Sequence, residues 1–288
     1  MTGMLLALVA GVSVQPPDRG PASFPTEVGL VSVEVSVWKE GRPVAGLRAE
    51  DFEVLDDGTP RRAQLVPVAE DPLDMVLAVD LSTSVEGARL AGMRSAATAL
   101  LEGLGAADRV TLLTFSHELA LPAGLERPPA EIERMIGTLE PGGATALRDA
   151  VHAALVLLDP VVGRSMVLVF SDRDDTVSWV SEDAVLEVAR TSNAVVHAID
   201  ARTLAPGADP FLARVADLSG GRVWLTDGQT DLRSLVQRIL GEIRSRYLLS
   251  FERPRDAHPG WHRLDVRLRR ADGQVLARKG YVAPDSSR

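Results

Sequence analysis

The sequence predicts an α/β fold: a doubly wound, mostly parallel sheet inserted in a small antiparallel β-sandwich formed by the N- and C-terminal strands. Three observations predict it. First, five short apolar runs, 75–79, 110–115, 166–170, 195–199 and 223–225, alternate with helical stretches. That rhythm is the mark of a parallel sheet with helices on both faces. Second, the apolar period drops to two before residue 71 and again after residue 247, as half-buried antiparallel strands require. Third, neither terminal set has enough apolar faces to be stable alone, so the two are expected to pair with each other.

In chain order, residues 1–26 hold an apolar segment, 4–14, that is too short to span a bilayer and suits a secretory signal. No Lys or Arg precedes it, and cleavage after Ser13 is one of several possibilities. Export to an extracytoplasmic location is expected. Pro16, Pro17, Gly20, Pro21 and Pro25 then make a stiff linker. Residues 27–71 form the first part of the sandwich: Val31, Val33, Val35 and Val37 alternate with Ser32, Glu34 and Ser36, "KEGRP" turns the chain, and Asp57-Gly58 closes a hairpin. Residues 72–246 are the α/β unit. Its first helix, roughly 87–104, places Leu90, Met93, Ala97, Leu100, Leu101 and Leu104 on one stripe, with Ala and Gly suited to close packing on the sheet. A long helix spans 231–246. Residues 247–284 return to period two, with Tyr247, Leu249 and Phe251, then Leu264, Val266 and Leu268, and a turn at Asp272-Gly273. Residues 285–288 are a tail.

With 45% apolar residues the 288-residue chain can bury a sizeable core. A net charge of -9 argues against nucleic acid or an anionic membrane as partner. Arg263, Arg267 and Arg269 line one face of a terminal strand and read as a solvated sheet face. No cysteine is present, which excludes disulfides, thiolate metal sites and a cysteine nucleophile. Nothing after the first segment is long and apolar enough for a membrane span.

Ligands of open α/β sheets sit beyond the carboxyl ends of the strands, where the strand order reverses. Asp80 ends the first parallel run, and Ser82 and Ser84 follow it in a loop that can turn both hydroxyls towards the carboxylate. Asp172 ends the run "MVLVFSD", and Thr145 lies in a loop made pliable by Gly142 and Gly143. All these donors are oxygens, a set that fits Mg²⁺ better than zinc. Three of the five are uncharged, so the ion should stay electron-poor and seek a further anion. Each residue also has a plain alternative. Ser82, Ser84 and Thr145 can cap helices, and Asp172 can serve a turn.

At these residues the chain resembles the von Willebrand factor A-type (VWA) domain, whose metal-ion-dependent adhesion site uses Asp-x-Ser-x-Ser, a Thr and an Asp on three loops. Here they read Asp80, Ser82 and Ser84 in "DLSTS", Thr145 in "GGATAL" and Asp172 in "FSDRDD". The departure is Arg173, where the family often has Gly. The resemblance covers about 74–246, and the flanks look like those of bacterial VWA-related proteins described mainly from Acidobacteria. It implies Mg²⁺ (or Mn²⁺ or Ca²⁺) and a partner protein presenting Asp or Glu, with Ser116, His117, Gly143 and Arg173 at the partner-facing rim. "WLTDGQTD", with Asp227, mimics the last motif but follows the last parallel run, away from the expected reversal. Asp174 and Asp175 read as solvated loop acids, His117 as an exposed loop histidine, and His152 and His197 as packing residues.

The leading expectation is therefore a non-enzymatic, metal-dependent binding module. A structural or assembly protein with metal-independent contacts is the alternative. A Mg²⁺-dependent phosphotransferase using Asp80 is disfavoured, because haloacid-dehalogenase-like enzymes need a second aspartate where this chain has Ser82.

Overall fold

The change of apolar period along the chain marks where one layer gives way to the next. The computed structural model describes residues 29–66, 72–123, 127–159, 163–172, 174–201, 207–226, 230–254, 257–270 and 272–284. The expected leader and linker, the tail, Arg173 and Asp227 lie outside the described residues. The first antiparallel strands are β1 (Leu30–Lys39), β2 (Arg42–Pro43), β3 (Phe52–Asp56), β4 (Thr59–Arg61) and β5 (Gln64–Val66). The α/β unit follows as β6 (Leu73–Asp80), α1 (Ala88–Gly103), β7 (Arg109–Phe115), β8 (Leu119–Ala123), α2 (Pro129–Gly137) and α3 (Leu147–Leu158). It continues through β9 (Arg164–Ser171), α4 (Glu182–Thr191), β10 (Val195–Asp200), α5 (Pro210–Ser219), β11 (Val223–Leu225) and α6 (Leu232–Arg244). The chain closes with β12 (Tyr247–Glu252), β13 (Gly260–Leu268), β14 (Gln274–Ala277) and β15 (Gly280–Ala283).

The central sheet runs β11-β10-β9-β6-β7-β8. Every pairing in it is parallel except β7 with β8. Alternation along fully buried β6 divides its side chains between two cores. Met75, Leu77 and Val79 join the cluster of α1, α2 and α6, while Val76 and Ala78 join that of α3, α4 and α5. Strand order reverses between β6 and β9, so their carboxyl ends open the crevice in which ligands of such sheets bind. Strand β8 is not among the runs expected from the sequence. It is a short edge strand with exposed Leu121 and with Pro122, which only an edge tolerates. The glycines of α1 also differ in role from the expectation, since Gly92 and Gly103 make their close approach to Leu232 and Leu240 of α6.

The chain ends build two further sheets, β14-β1-β12-β5 with β2 on β1, and β15-β13-β3-β4. Strand β1 lies between β12 and β14, and β3 pairs with β13, so the N-terminal strands close on the C-terminal ones. Val31, Val33, Val35, Val37, Phe52, Val54, Leu249, Phe251, Leu264 and Val266 fill one shared core. Both hairpin turns use left-handed pairs, Glu40 (φ 51°) with Gly41 (φ 74°) and Asp57 (φ 49°) with Gly58 (φ 78°), which match the twist of the strands they join. These sheets meet the α/β unit where Trp38 packs edge-on against Trp224 at 5.7 Å and Glu34 pairs with Arg164 at 3.2 Å. Beneath that contact His197 is fully buried, with Trp224 Nε1 at 3.5 Å from its Nδ1 and Arg246 at 3.3 Å from its Nε2. Among the described residues no helix is long and apolar enough to cross a membrane.

Candidate metal centre

Strand β6 delivers Asp80 to the crevice, and the chain then curls back on it. The Ser82 backbone N–H donates to Asp80 Oδ1 at 2.8 Å, a local turn that short carboxylate side chains favour. From the end of neighbouring β9, Ser171 Oγ donates to Asp80 Oδ2 at 2.8 Å. The hydroxyls of Ser82 and Ser84 lie 3.1 Å apart, and Ser84 Oγ donates to Asp172 Oδ1 at 2.6 Å. A run of hydrogen bonds thus links Asp80, Ser82, Ser84 and Asp172, the first step through the Ser82 backbone N–H and the rest between side-chain oxygens. Arg89 holds the other side, 3.0 Å from Asp172 Oδ2. Asp80 is fully buried, and that desolvation pushes its carboxyl above the usual range against the hydrogen bonds of Ser82 and Ser171.

Thr145 reaches the same region on the loop before α3. Gly142 N donates to Leu81 O at 2.7 Å, and Thr83 N and Oγ1 donate to Gly143 O at 3.1 and 3.0 Å, which clamps this loop to the loop of Asp80. Thr176 N fixes the Thr145 carbonyl at 2.9 Å. Thr145 itself is 1% exposed, and its Oγ1 has no hydrogen-bond partner. The capping alternative fails for these hydroxyls, because α1 starts from Gly87 and α3 from Ala146, each without a side-chain cap. The donor set is wholly oxygen, two carboxylates and three hydroxyls, and one hydroxyl is orphaned. Such a set fits a hard divalent cation.

Of the rim residues, Ser116 Oγ lies 3.3 Å from His117 Nδ1, and the His117 ring sits so close over Gly143 that a Cβ there would overlap it. Gly143 has φ 87°, and this left-handed backbone is what favours glycine there. His117 is solvent-exposed, yet it packs on the Thr145 loop. Asp175 corrects the expectation of a solvated acid: it is half-buried, pairs with Arg148 at 2.6 Å and anchors the start of α3. Asp174 is exposed.

Ser171, Arg89, Thr83 and Thr176 escaped the sequence reading. Arg89 carried a signal, since a cation in the first turn of a helix opposes the macrodipole unless an anion holds it there. Trp179 was also missed. It is 95% exposed, on the segment whose Thr176 ties down Thr145, and its backbone N–H donates to Asp149 Oδ2 at 3.0 Å.

Residues 75–174 match the family model described as the von Willebrand factor type A domain. No curated protein matches the chain. Among solved structures, a von Willebrand factor type A protein from Catenulispora acidiphila aligns with TM-score 0.52 and 12% identity over 92% of this chain and 76% of its own. Proximal thread matrix protein 1 from the mussel byssus gives TM-score 0.53 and 16% identity over 65% of this chain and 49% of its own, so the chain spans about half that protein's length. The vWF domain of the type V pili tip protein Mfa5 from Porphyromonas gingivalis gives TM-score 0.50 and 11% identity, covering 60% of this chain and 95% of its own. At these identities the likeness is one of fold.

Proposed function

For a chain that carries a von Willebrand factor type A domain, we propose a metal-dependent protein-binding module of adhesion type, exported from the cell, that captures an Asp or Glu of a partner protein. Asp80, Ser82, Ser84, Thr145 and Asp172 would hold Mg²⁺, or Mn²⁺ or Ca²⁺ in its place. The observation that carries this reading is the buried, unpartnered Thr145 Oγ1, beside a loop whose Asp80, Ser82 and Ser84 side-chain oxygens are hydrogen-bonded. An unsatisfied buried hydroxyl costs about 1–3 kcal/mol, a cost that a bound cation would offset.

When bound, the ion supplies a Lewis-acidic position for the partner carboxylate. Ser171 fixes the second oxygen of Asp80, and Arg89 orients Asp172. With both aspartates in the cluster their formal charges match a dication. Arg89 beside Asp172 leaves one positive charge over, so the pull on an outside acid rests on an open coordination position together with that surplus. Ser116, His117, Gly143 and Arg173 would face the partner, and exposed Trp179 offers it an aromatic anchor. The antiparallel layers are read as one sandwich into which the α/β unit is inserted, serving as its mount. A pilus tip protein and a byssal thread matrix protein share the fold, which accords with a role in contacts between proteins. No catalytic residue is assigned.

Titrating the protein with Mg²⁺ should raise its melting temperature, because a ligand that binds only the folded state stabilises it by mass action. Asp80→Ala should abolish the shift, and chelator should release a partner captured from the envelope fraction. A shift unchanged in Asp80→Ala rejects the ligand set, and capture indifferent to chelator favours a metal-independent assembly role.

A further inference from the structure

A second set of metal-ligating atoms converges at the turn between β3 and β4, among residues that the oxygen cluster does not use. Asp57, His258 and His262 each bring one ligand atom, and the three atoms lie within 4.8 Å of one another. The backbone arranges this. Asp57 N donates to Arg263 O at 2.9 Å, and Arg263 N donates to Asp57 Oδ1 at 2.9 Å, which pins the turn to β13 and aims the other carboxylate oxygen sideways. That oxygen, Oδ2, lies 2.8 Å from His262 Nδ1 and 3.4 Å from His258 Nε2.

The far nitrogens decide which ring atoms are bare. His262 Nε2 lies 2.7 Å from the His258 carbonyl, and His258 Nδ1 lies 3.1 Å from the Pro259 carbonyl. A carbonyl only accepts, so each of these nitrogens carries the proton. His262 Nδ1 and His258 Nε2 face the Asp57 carboxylate, and a cation bound between them would take their lone pairs and displace any proton carried there. His262 is held as metal-binding histidines are, with the remote N–H donated to an oxygen that sets tautomer and orientation. His262 Nδ1 is moreover buried without an aligned hydrogen bond, although Asp56 and Asp57 carboxylates lie 3.4 and 2.8 Å away. The other two ligands are open to solvent, with side chains 42% (Asp57) and 64% (His258) exposed, so an ion has a path in.

We propose that Asp57, His258 and His262 form a site for a transition-metal dication of the zinc class, separate from the Asp80 cluster. Two imidazoles and one carboxylate suit Zn²⁺ and not Mg²⁺, and three protein ligands leave one position for water or an outside donor. The two imidazoles stack at 4.1 Å and 11°, so exposed His258 must swing out of the stack to aim its lone pair at the ion that His262 holds. The bound ion ties the β3–β4 turn of the N-terminal half to β13 and the segment before it in the C-terminal half.

Calorimetric titration of the full chain with Zn²⁺ in saturating Mg²⁺ tests the site, with Co²⁺ absorption as a second readout. One Zn²⁺ per chain is expected, weakened about tenfold or more by His258→Ala and by Asp57→Asn, and unaffected by Asp80→Ala or His117→Ala. Asn accepts the left-handed turn position, so Asp57→Asn keeps the hairpin even if His262→Gln does not fold. Zn²⁺ binding that is absent, that is unchanged in both His258→Ala and Asp57→Asn, or that is lost in Asp80→Ala overturns the assignment. Failure of the Mg²⁺ shift leaves it standing, since no ligand is shared.

Discussion

Thr145 and His197 show how much a single buried polar group can decide. Thr145→Val keeps the shape and removes the orphaned hydroxyl. The metal-free variant should therefore be as stable as the parent or about 1 kcal/mol more so, while its Mg²⁺-induced melting shift shrinks. Differential scanning calorimetry with and without Mg²⁺ reads both, and a destabilised metal-free variant would assign the hydroxyl to packing. His197 should make the protein acid-sensitive. Burial, the largest cause, pushes it from 6.5 down to about 4. As pH falls through 6.5 the unfolded chain takes up a proton that the folded chain refuses, so stability drops between pH 6.5 and about 4 and this contribution levels off below. The full loss is on the order of 3 kcal/mol. Urea midpoints measured across that range should flatten in His197→Asn; an unaltered slope assigns the acid sensitivity elsewhere. The sequence placed His197 in the core, but its partners Trp224 and Arg246 are 27 and 49 positions away and only folding brings them to it.

At the scale of elements, close backbone approaches set the tolerances. Gly221, which leads into β11, lies against the Val196 carbonyl so tightly that a Cβ would overlap it, whereas Gly41 has open space and only a left-handed φ of 74°. Gly221→Ala should cost about 2 kcal/mol or more and Gly41→Ala about 1 kcal/mol. Denaturant midpoints compare the two, and equal losses would refute the steric account. Period and turn residues made most strands legible, because a strand half-buried on one face must alternate. Strand β8 was not legible, since five residues with a proline and exposed leucines carry no such pattern. The pairing of α1 with α6 was equally hidden. Small residues announce that something comes close but do not say what.

For the whole molecule, β1 is the point where both ends of the chain depend on each other, held by β12 on one side and β14 on the other. A chain stopped at Arg246 would leave Val31, Val33, Val35 and Val37 without their cover. Such a truncation should lose its cooperative urea transition and scatter light as it aggregates. A sharp transition retained by the truncated chain would mean that the α/β unit folds independently of the terminal sheets.

Local pattern alone determined the alternation of runs and helices, the two left-handed hairpin turns, and the strand-end loop of Asp80, Ser82 and Ser84, since each depends on neighbours a few residues apart. Thr145 and Asp172 could be nominated from their loops. Their relation to Asp80 was decided by tertiary structure, through the reversal of strand order between β6 and β9 and the backbone bonds between the loops of Leu81 and Gly143. The same holds for Arg89 on Asp172 and for Asp57 beside two histidines some 200 residues later in the chain. Sequence spacing carries no record of such contacts, because distant segments meet only when the burial of their apolar faces brings them together.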